Sequence, residues 1–182
     1  MGSQQFTIEH SADKTFTVCV QDILAAPVDT IVNPANSHLA HGGGLAAIIS
    51  RAAGPLLDEA CNEIIMQQGQ VPVGGAVLTP AGNLPFKGVI HAVGPRMGTG
   101  DELEKISSAI ISVLQLAGQN QWQSVAFPAI STGIFSVPIE TCARAFKQSV
   151  PGYWNDQPDS SVKKILLCLM SQDFDEFKKY LG

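Results

Sequence analysis

Val32-Asn33-Pro34-Ala35-Asn36 is followed, four residues later, by His41-Gly42-Gly43-Gly44-Leu45. An apolar strand brings two asparagine amides into a turn, and three consecutive glycines then run into an apolar, alanine-rich helix. Carboxamides donate and accept hydrogen bonds without carrying charge. Glycines let a backbone approach a ligand closely, and a helix start offers free N–H groups to an anion. This is the chemistry of one pocket wall for a phosphorylated, polyhydroxylated ligand.

A second loop of similar chemistry is Pro128-Ala129-Ile130-Ser131-Thr132-Gly133-Ile134-Phe135. Ser131 and Thr132 supply hydroxyls, Gly133 permits tight approach, and successive N–H groups could form an anion nest. The loop lacks the lysine of a P-loop, and GxGxxG is absent from the chain. Taken by itself, the loop reads better as a plain strand-to-helix turn. Among the histidines, His41 sits beside the glycines and titrates near neutrality. A general base is one reading of it; a loop-stabilising or exposed imidazole is the plainer one. His91 reads as a core-facing strand residue, and Trp122 and Trp154 as packing.

The elements that must position these loops alternate. Strands are expected at Phe16–Val20, with Phe6–Ile8 as a partner, at Asp29–Asn33, Gly75–Thr79, Gly88–Val93, Ser124–Pro128 and Lys164–Met170. Helices are expected at Leu45–Ala53, stopped by Gly54 and Pro55, and at Leu56–Gln68, Asp101–Ala117, Pro138–Ser149 and Asp173–Leu181. Pro151 to Ser161 is polar and turn-rich and reads as a surface loop. Such alternation implies a three-layer α/β/α sandwich around a mixed, mostly parallel sheet. Ligands in such sheets bind beyond the carboxyl ends of strands, which selects the loops after Val32, Phe127 and Leu169.

The chain has 182 residues, 45% hydrophobic and 15% charged, the composition of one folded domain spanning 1–182. A net charge of −5 argues against broad electrostatic capture of nucleic acid, so an anionic ligand must rely on local backbone donors. Cys19, Cys61, Cys142 and Cys168 are far apart in sequence and form no CxxC pair, so buried free thiols are expected, with no disulfide framework and no zinc site. No signal peptide or membrane-spanning run is read, which suggests cytosol or nucleus. Met1-Gly2-Ser3 reads as a cloning remnant and is given no structural weight.

Taken together, the two loops, in their order and spacing, resemble those of the macrodomain family of ADP-ribose-binding modules. The matching segments are Val32–Asn36, Gly42–Gly44, Ser131–Phe135 and Val89-Ile90-His91-Ala92-Val93-Gly94-Pro95. The resemblance extends from about Val18 to the last helix and is strongest to the first macrodomain of vertebrate macrodomain-containing ADP-ribosyltransferases. Coronaviral macrodomains share the His-Gly-Gly-Gly-aliphatic-Ala pattern.

The resemblance implies the macrodomain fold and a set of ligand contacts. Asp22 would accept from the adenine amino group, Ile23 would contact the ring through its backbone, and Met170 would pack on the ring face. Read without the family, Asp22 simply caps a turn and Met170 is an ordinary core residue. Gly42, Gly43, Gly44 and Leu45 would line the diphosphate and the proximal ribose, which carries the scissile bond. Ala129, Ser131, Thr132, Gly133, Ile134 and Phe135 would wrap the other side, with Ile134 and Leu45 facing each other as apolar walls. Asn33 and His41 belong to the same set, Asn33 mainly ordering the loop. Asn36 would point its amide at the proximal ribose and is the candidate catalytic residue.

Two activities fit this site: hydrolysis of mono-ADP-ribose from acyl-linked Asp or Glu or other acceptors, and reading of ADP-ribosylated targets without cleavage. A phosphatase acting on ADP-ribose 1″-phosphate is a third possibility. In the familiar hydrolytic branch an aspartate follows the aliphatic residue after the glycines; Ala46 stands there in this chain. Relatives lacking that aspartate are nonetheless associated with hydrolysis, so the hydrolase reading is preferred. Expected partners are ADP-ribose, mono-ADP-ribosylated proteins and ADP-ribosylated nucleic-acid ends. No membrane, cofactor or metal is expected, and the domain is read as a monomer that can stand within a longer chain.

Overall fold

Continuous apolar runs such as Ile165-Leu166-Leu167-Cys168-Leu169 suit strands covered on both faces, the hallmark of a parallel sheet between helical layers. The computed structural model describes residues 4–182; the expected cloning remnant Met1-Gly2-Ser3 lies outside the described residues. Seven strands and five helices follow in the order β1 (Gln5–Ser11), β2 (Lys14–Val20), β3 (Thr30–Ala35), α1 (Gly44–Ala53), α2 (Pro55–Gln68), β4 (Ala76–Thr79) and β5 (Gly88–Val93). The chain continues through α3 (Glu102–Gln119), β6 (Ser124–Phe127), α4 (Ile139–Asp156), β7 (Lys164–Leu169) and α5 (Phe174–Leu181).

The sheet order is β1-β2-β7-β6-β3-β5-β4. Its inner strands β2, β7, β6, β3 and β5 run parallel, while β1 and β4 are antiparallel edges. One face buries Phe127, Ile165 and Leu167 against α3, α4 and α5. The other buries Ile31, Val89 and Leu166 against Ile49, Leu57 and Cys61 of α1 and α2. This is the expected mixed α/β sandwich. The carboxyl ends of β7, β6, β3 and β5 all emerge along one edge, and the loops of interest hang there.

At the opposite end, Asp29 ties three strands. Its Oδ1 meets Lys87 Nζ at 2.8 Å, and its Oδ2 accepts from the Gln123 and Ser124 amides at 2.7 and 3.2 Å. Lys87 leads into β5 and Gln123 into β6, so one carboxylate registers the starts of β3, β5 and β6.

Two elements run further than expected. β3 continues through Pro34 and Ala35, which pair with Ala92 and Val93 of β5. β6 pairs with β3 only at Thr30 and Ile31, so beyond them one edge of β3 is open and a proline is tolerated there. Helix α4 does not stop at Ser149, and the expected loop from Pro151 is helical as far as Asp156. An internal proline costs about 3 kcal/mol. Here the turn beyond it buries Tyr153 and Trp154, whose polar tips donate to Leu114 O at 3.0 Å and Val162 O at 2.8 Å. Burying two large aromatics with satisfied donors offsets that cost.

Candidate functional site

A cavity of about 780 Å³ opens at the carboxyl edge of the sheet. One wall is the segment from Pro34 through Gly42–Leu45 into α1, and the other is Pro128–Phe135. Cys168, Leu169, Met170 and Gln172 close the end beyond β7.

The glycine wall ends in a bare helix start. Gly43 is the N-cap of α1, no side chain caps it, and no acidic residue occupies the first turn. The first N–H groups of a helix have no intrahelical partner and carry the positive end of its dipole, so an anion is the natural acceptor. Gly44 adopts φ +58°, a conformation that L side chains rarely take.

Opposite it, the loop after β6 is braced by its own backbone. Val137 N donates to Ser131 O at 2.9 Å, Ser136 N to Gly133 O at 2.9 Å, and Met97 N to Phe135 O at 2.8 Å. Among the described residues, the amides of Gly133, Ile134 and Phe135 find no acceptor within the protein. Ser131 is held at φ 66°, is only 7% exposed, and its Oγ also lacks a protein partner. A buried polar atom without a partner suits a ligand oxygen or a bound water. Gly94 makes room for that residue: a Cβ at Gly94 would collide with Ser131 Oγ and come within 2.7 Å of Ile130 Cγ2. Ile134 spans the cleft, its Cδ1 lying 3.3 Å from where Cβ atoms on Gly43 and Gly44 would stand.

This frame matches proteins already described. The family model for the Macro domain matches residues 32–146. The chain belongs to the macrodomain family. It is 46% identical over 138 residues to a Klebsiella pneumoniae protein named O-acetyl-ADP-ribose deacetylase, covering 75% of this chain and 79% of that one. It is 43% identical over 158 residues to an uncharacterized Saccharolobus solfataricus protein, covering 86% of each. Among solved structures, the Oceanobacillus iheyensis macrodomain with ADP superimposes with a TM-score of 0.91 at 27% identity, covering 100% of this chain and 96% of that one.

In this macrodomain the expected residues divide into three groups. Gly42, Gly43, Gly44, Leu45, Ala129, Ser131, Thr132, Gly133, Ile134, Phe135, Asn36 and Met170 line the cavity, Met170 with 58% of its surface exposed. Two of the side chains differ in aim from the expectation. Thr132 Oγ1 donates back to Ala129 O at 2.9 Å. Asn36 uses Nδ2 on Ala40 O at 2.8 Å and accepts from the His38 and Ala40 amides, each at 3.1 Å. One amide proton of Asn36 remains uncommitted, so the side chain orders its loop first. Ile134, which lines the cavity with Leu45, also meets Gly43 and Gly44 directly.

Asp22 and Ile23 lie beside the cavity without lining it. Asp22 is the N-cap of a single 3-10 turn, Ile23–Ala25, its Oδ1 accepting from Leu24 N at 2.9 Å. Since Val20 pairs with Leu169, this turn emerges next to Met170 at the end of β7.

Asn33 and His41 are corrections. Both were grouped with the ligand contacts, and both lie behind the glycine wall. Asn33 is fully buried because β3 runs through it with its side chain turned from the cavity to the α1–α2 side. Its Nδ2 contacts His91 Nδ1 at 2.9 Å and His41 Nδ1 at 3.3 Å. His41 Nε2 stands 3.4 Å from Cys61 Sγ and 3.7 Å from Asp58 Oδ1, and only 5% of its side chain is exposed. Burial lowers the His41 pKa against the pull of Asp58, so the contact with Asp58 joins a neutral ring to a carboxylate. Burial, with His41 alongside, brings His91 down to about 3, and burial, with Asp58 nearby, pushes the Cys61 thiol up to about 12. His91 is a buried strand residue in the core, as expected.

Arg96 was missed. It lines the cavity from the loop after β5, with its guanidinium 4.6 Å from the Phe135 ring centroid. It is the single basic residue among the described residues of the lining, so backbone donors are not the whole of the anion chemistry. The carboxyl-end rule would have found it had β5 been included among the selected strands.

Proposed function

We infer that this macrodomain binds ADP-ribose and hydrolyses acyl esters of it, releasing mono-ADP-ribose from carboxyl-linked acceptors. The observation that carries this reading is the facing of two sets of backbone donors, the bare start of α1 and the Gly133–Phe135 amides, across one cleft. A diphosphate accepts from both sides at once. The adenine then extends toward Met170, with Asp22 available to the amino group through its second oxygen. The proximal ribose extends toward Asn36 and Phe135.

Ala46 supplies no carboxylate for activating water. Positioning is left as the source of rate: Asn36 fixes the ribose, and the backbone donors hold the diphosphate in a preorganised field. Water adds at the anomeric carbon, the bond to the acyl oxygen breaks, and the carboxylate departs. The proton lost by water passes to a nonbridging diphosphate oxygen. The deacetylase name borne by the Klebsiella relative supports hydrolysis of ADP-ribose esters, and the ADP in the Oceanobacillus structure supports the ligand class.

One observation favours the alternative of a non-catalytic reader: the Asn36 amide is largely committed to its own loop. Incubation with O-acetyl-ADP-ribose and with protein automodified on glutamate or aspartate separates the readings. Release of ADP-ribose supports the hydrolase, and binding without release supports the reader.

A further inference from the structure

Cys61 of α2, His91 of β5 and His41 of the glycine segment converge from three separate elements, and their ligand atoms all lie within 4.8 Å of one another. The Cys61 Sγ atom is 3.4 Å from His41 Nε2 and 3.7 Å from His91 Nε2. For a tetrahedral zinc ion, bond lengths of about 2.0–2.1 Å to nitrogen and about 2.3 Å to sulfur place the nitrogen–sulfur edge at about 3.5–3.6 Å. The two observed edges bracket that value. Asp58 Oδ1 lies 3.7 Å from His41 Nε2 and accepts from Ser50 Oγ at 2.8 Å, which makes it the carboxylate beside the cluster that could swing in as a fourth ligand.

A second observation points the same way. Asn33 is fully buried, and its Oδ1 has no partner in the protein while its Nδ2 faces the Nδ1 atoms of both histidines. Amide orientation is assigned from the hydrogen-bond network. Turned over, the amide would set its carbonyl oxygen against both Nδ1–H groups and its N–H groups on the unpartnered side, and the tautomer so fixed would leave an Nε2 lone pair on each ring for a metal. Metal-binding imidazoles commonly donate the other ring N–H to such an oxygen. Thr79 Oγ1 already donates to Pro80 O at 3.2 Å, and its 2.8 Å contact with His91 Nε2 is the one a metal would displace.

We propose that His41, Cys61 and His91, completed by Asp58, form a structural zinc site that pins the glycine wall to α2 and β5. The wide sequence separation of the cysteines pointed away from zinc; two of the ligands are histidines that only the fold brings to Cys61. The site is distinct from the ligand cavity and does not depend on the reaction assigned to it.

The test uses the full chain, stripped with a chelator and then titrated with zinc against a chromophoric competitor, with cobalt as a spectroscopic substitute. One equivalent should bind, and cobalt should give visible tetrahedral bands and a thiolate charge-transfer band. Cys61→Ala should abolish the charge-transfer band and weaken zinc binding at least about 100-fold. The half-exposed Asp58→Asn should keep the fold by circular dichroism and weaken binding about 10-fold. Failure of the folded, stripped protein to bind stoichiometrically overturns the proposal. So does binding that Cys61→Ala and Asp58→Asn leave unchanged.

Discussion

The guanidinium of Arg96 lies 4.6 Å from the centroid of the Phe135 ring, and the next residue, Met97, donates its amide to Phe135 O at 2.8 Å. The cavity's basic side chain is therefore fastened to the loop that carries its unpaired amides. Cation–π and backbone contacts hold the charge beside this loop and support the closing aromatic together.

Arg96→Gln should weaken ADP-ribose binding by about 0.5–1.5 kcal/mol, the low end for a charge-assisted contact because Arg96 is solvent-exposed. Calorimetry at low and high salt checks this. The loss should shrink as salt rises, and equal affinity of both proteins at low salt would remove Arg96 from the site.

Gly133→Glu should abolish binding with the fold intact. A Cβ at Gly133 meets nothing within 4 Å, so the protein accommodates the side chain while its carboxylate repels the diphosphate. At least a tenfold loss is expected, about 1.4 kcal/mol. An unchanged melting temperature with unchanged affinity would make this loop a turn and nothing more.

Asn36→Ala should lower turnover more than affinity. A contact that tightens as the anomeric carbon gains positive character acts mainly in the transition state. Asn36→Asp keeps the acceptor for the His38 and Ala40 amides but loses the donor to Ala40 O as well as the one left for the ribose, so the melting temperature of both variants reads the loop bracing separately. Single-turnover release measured beside equilibrium binding reads the two effects. Equal losses in both would make Asn36 a binding group.

Asp29→Asn should destabilise the fold by about 1–3 kcal/mol at neutral pH. Burial alone would raise the Asp29 carboxyl, but Lys87 and the Gln123 and Ser124 amides outweigh it and hold the pKa below the usual range. With the folded value below the unfolded one, this stabilisation is full above about pH 4 and is lost as pH falls through the folded pKa. Urea denaturation across that window should show parent and variant converging in acid. A constant difference would place the effect elsewhere.

The sandwich was legible because its strands are short apolar runs and its helices are punctuated by Gly54, Pro55 and Gly69. The two cavity walls were legible for the same reason: glycines and amides at strand ends have little packing use. What stayed hidden depended on tertiary neighbours. Helix α4 passes Pro151 because Tyr153 and Trp154 find carbonyls to bond in α3 and before β7. Asn33 turns inward because His91 lies beside it in β5, a pairing with no local signature. Arg96 had no signal of its own in the sequence, because its place in the cavity depends on Phe135, far along the chain.

The most direct measurement is single-turnover release of ADP-ribose from an acyl ester, with the protein in excess over O-acetyl-ADP-ribose and, in parallel, over a glutamate-linked mono-ADP-ribosylated protein. Ester-cleaving hydrolysis predicts release well above the no-protein rate, lost in Gly133→Glu along with binding. Calorimetric binding of ADP-ribose with no release from either ester would contradict hydrolysis and leave this macrodomain a reader.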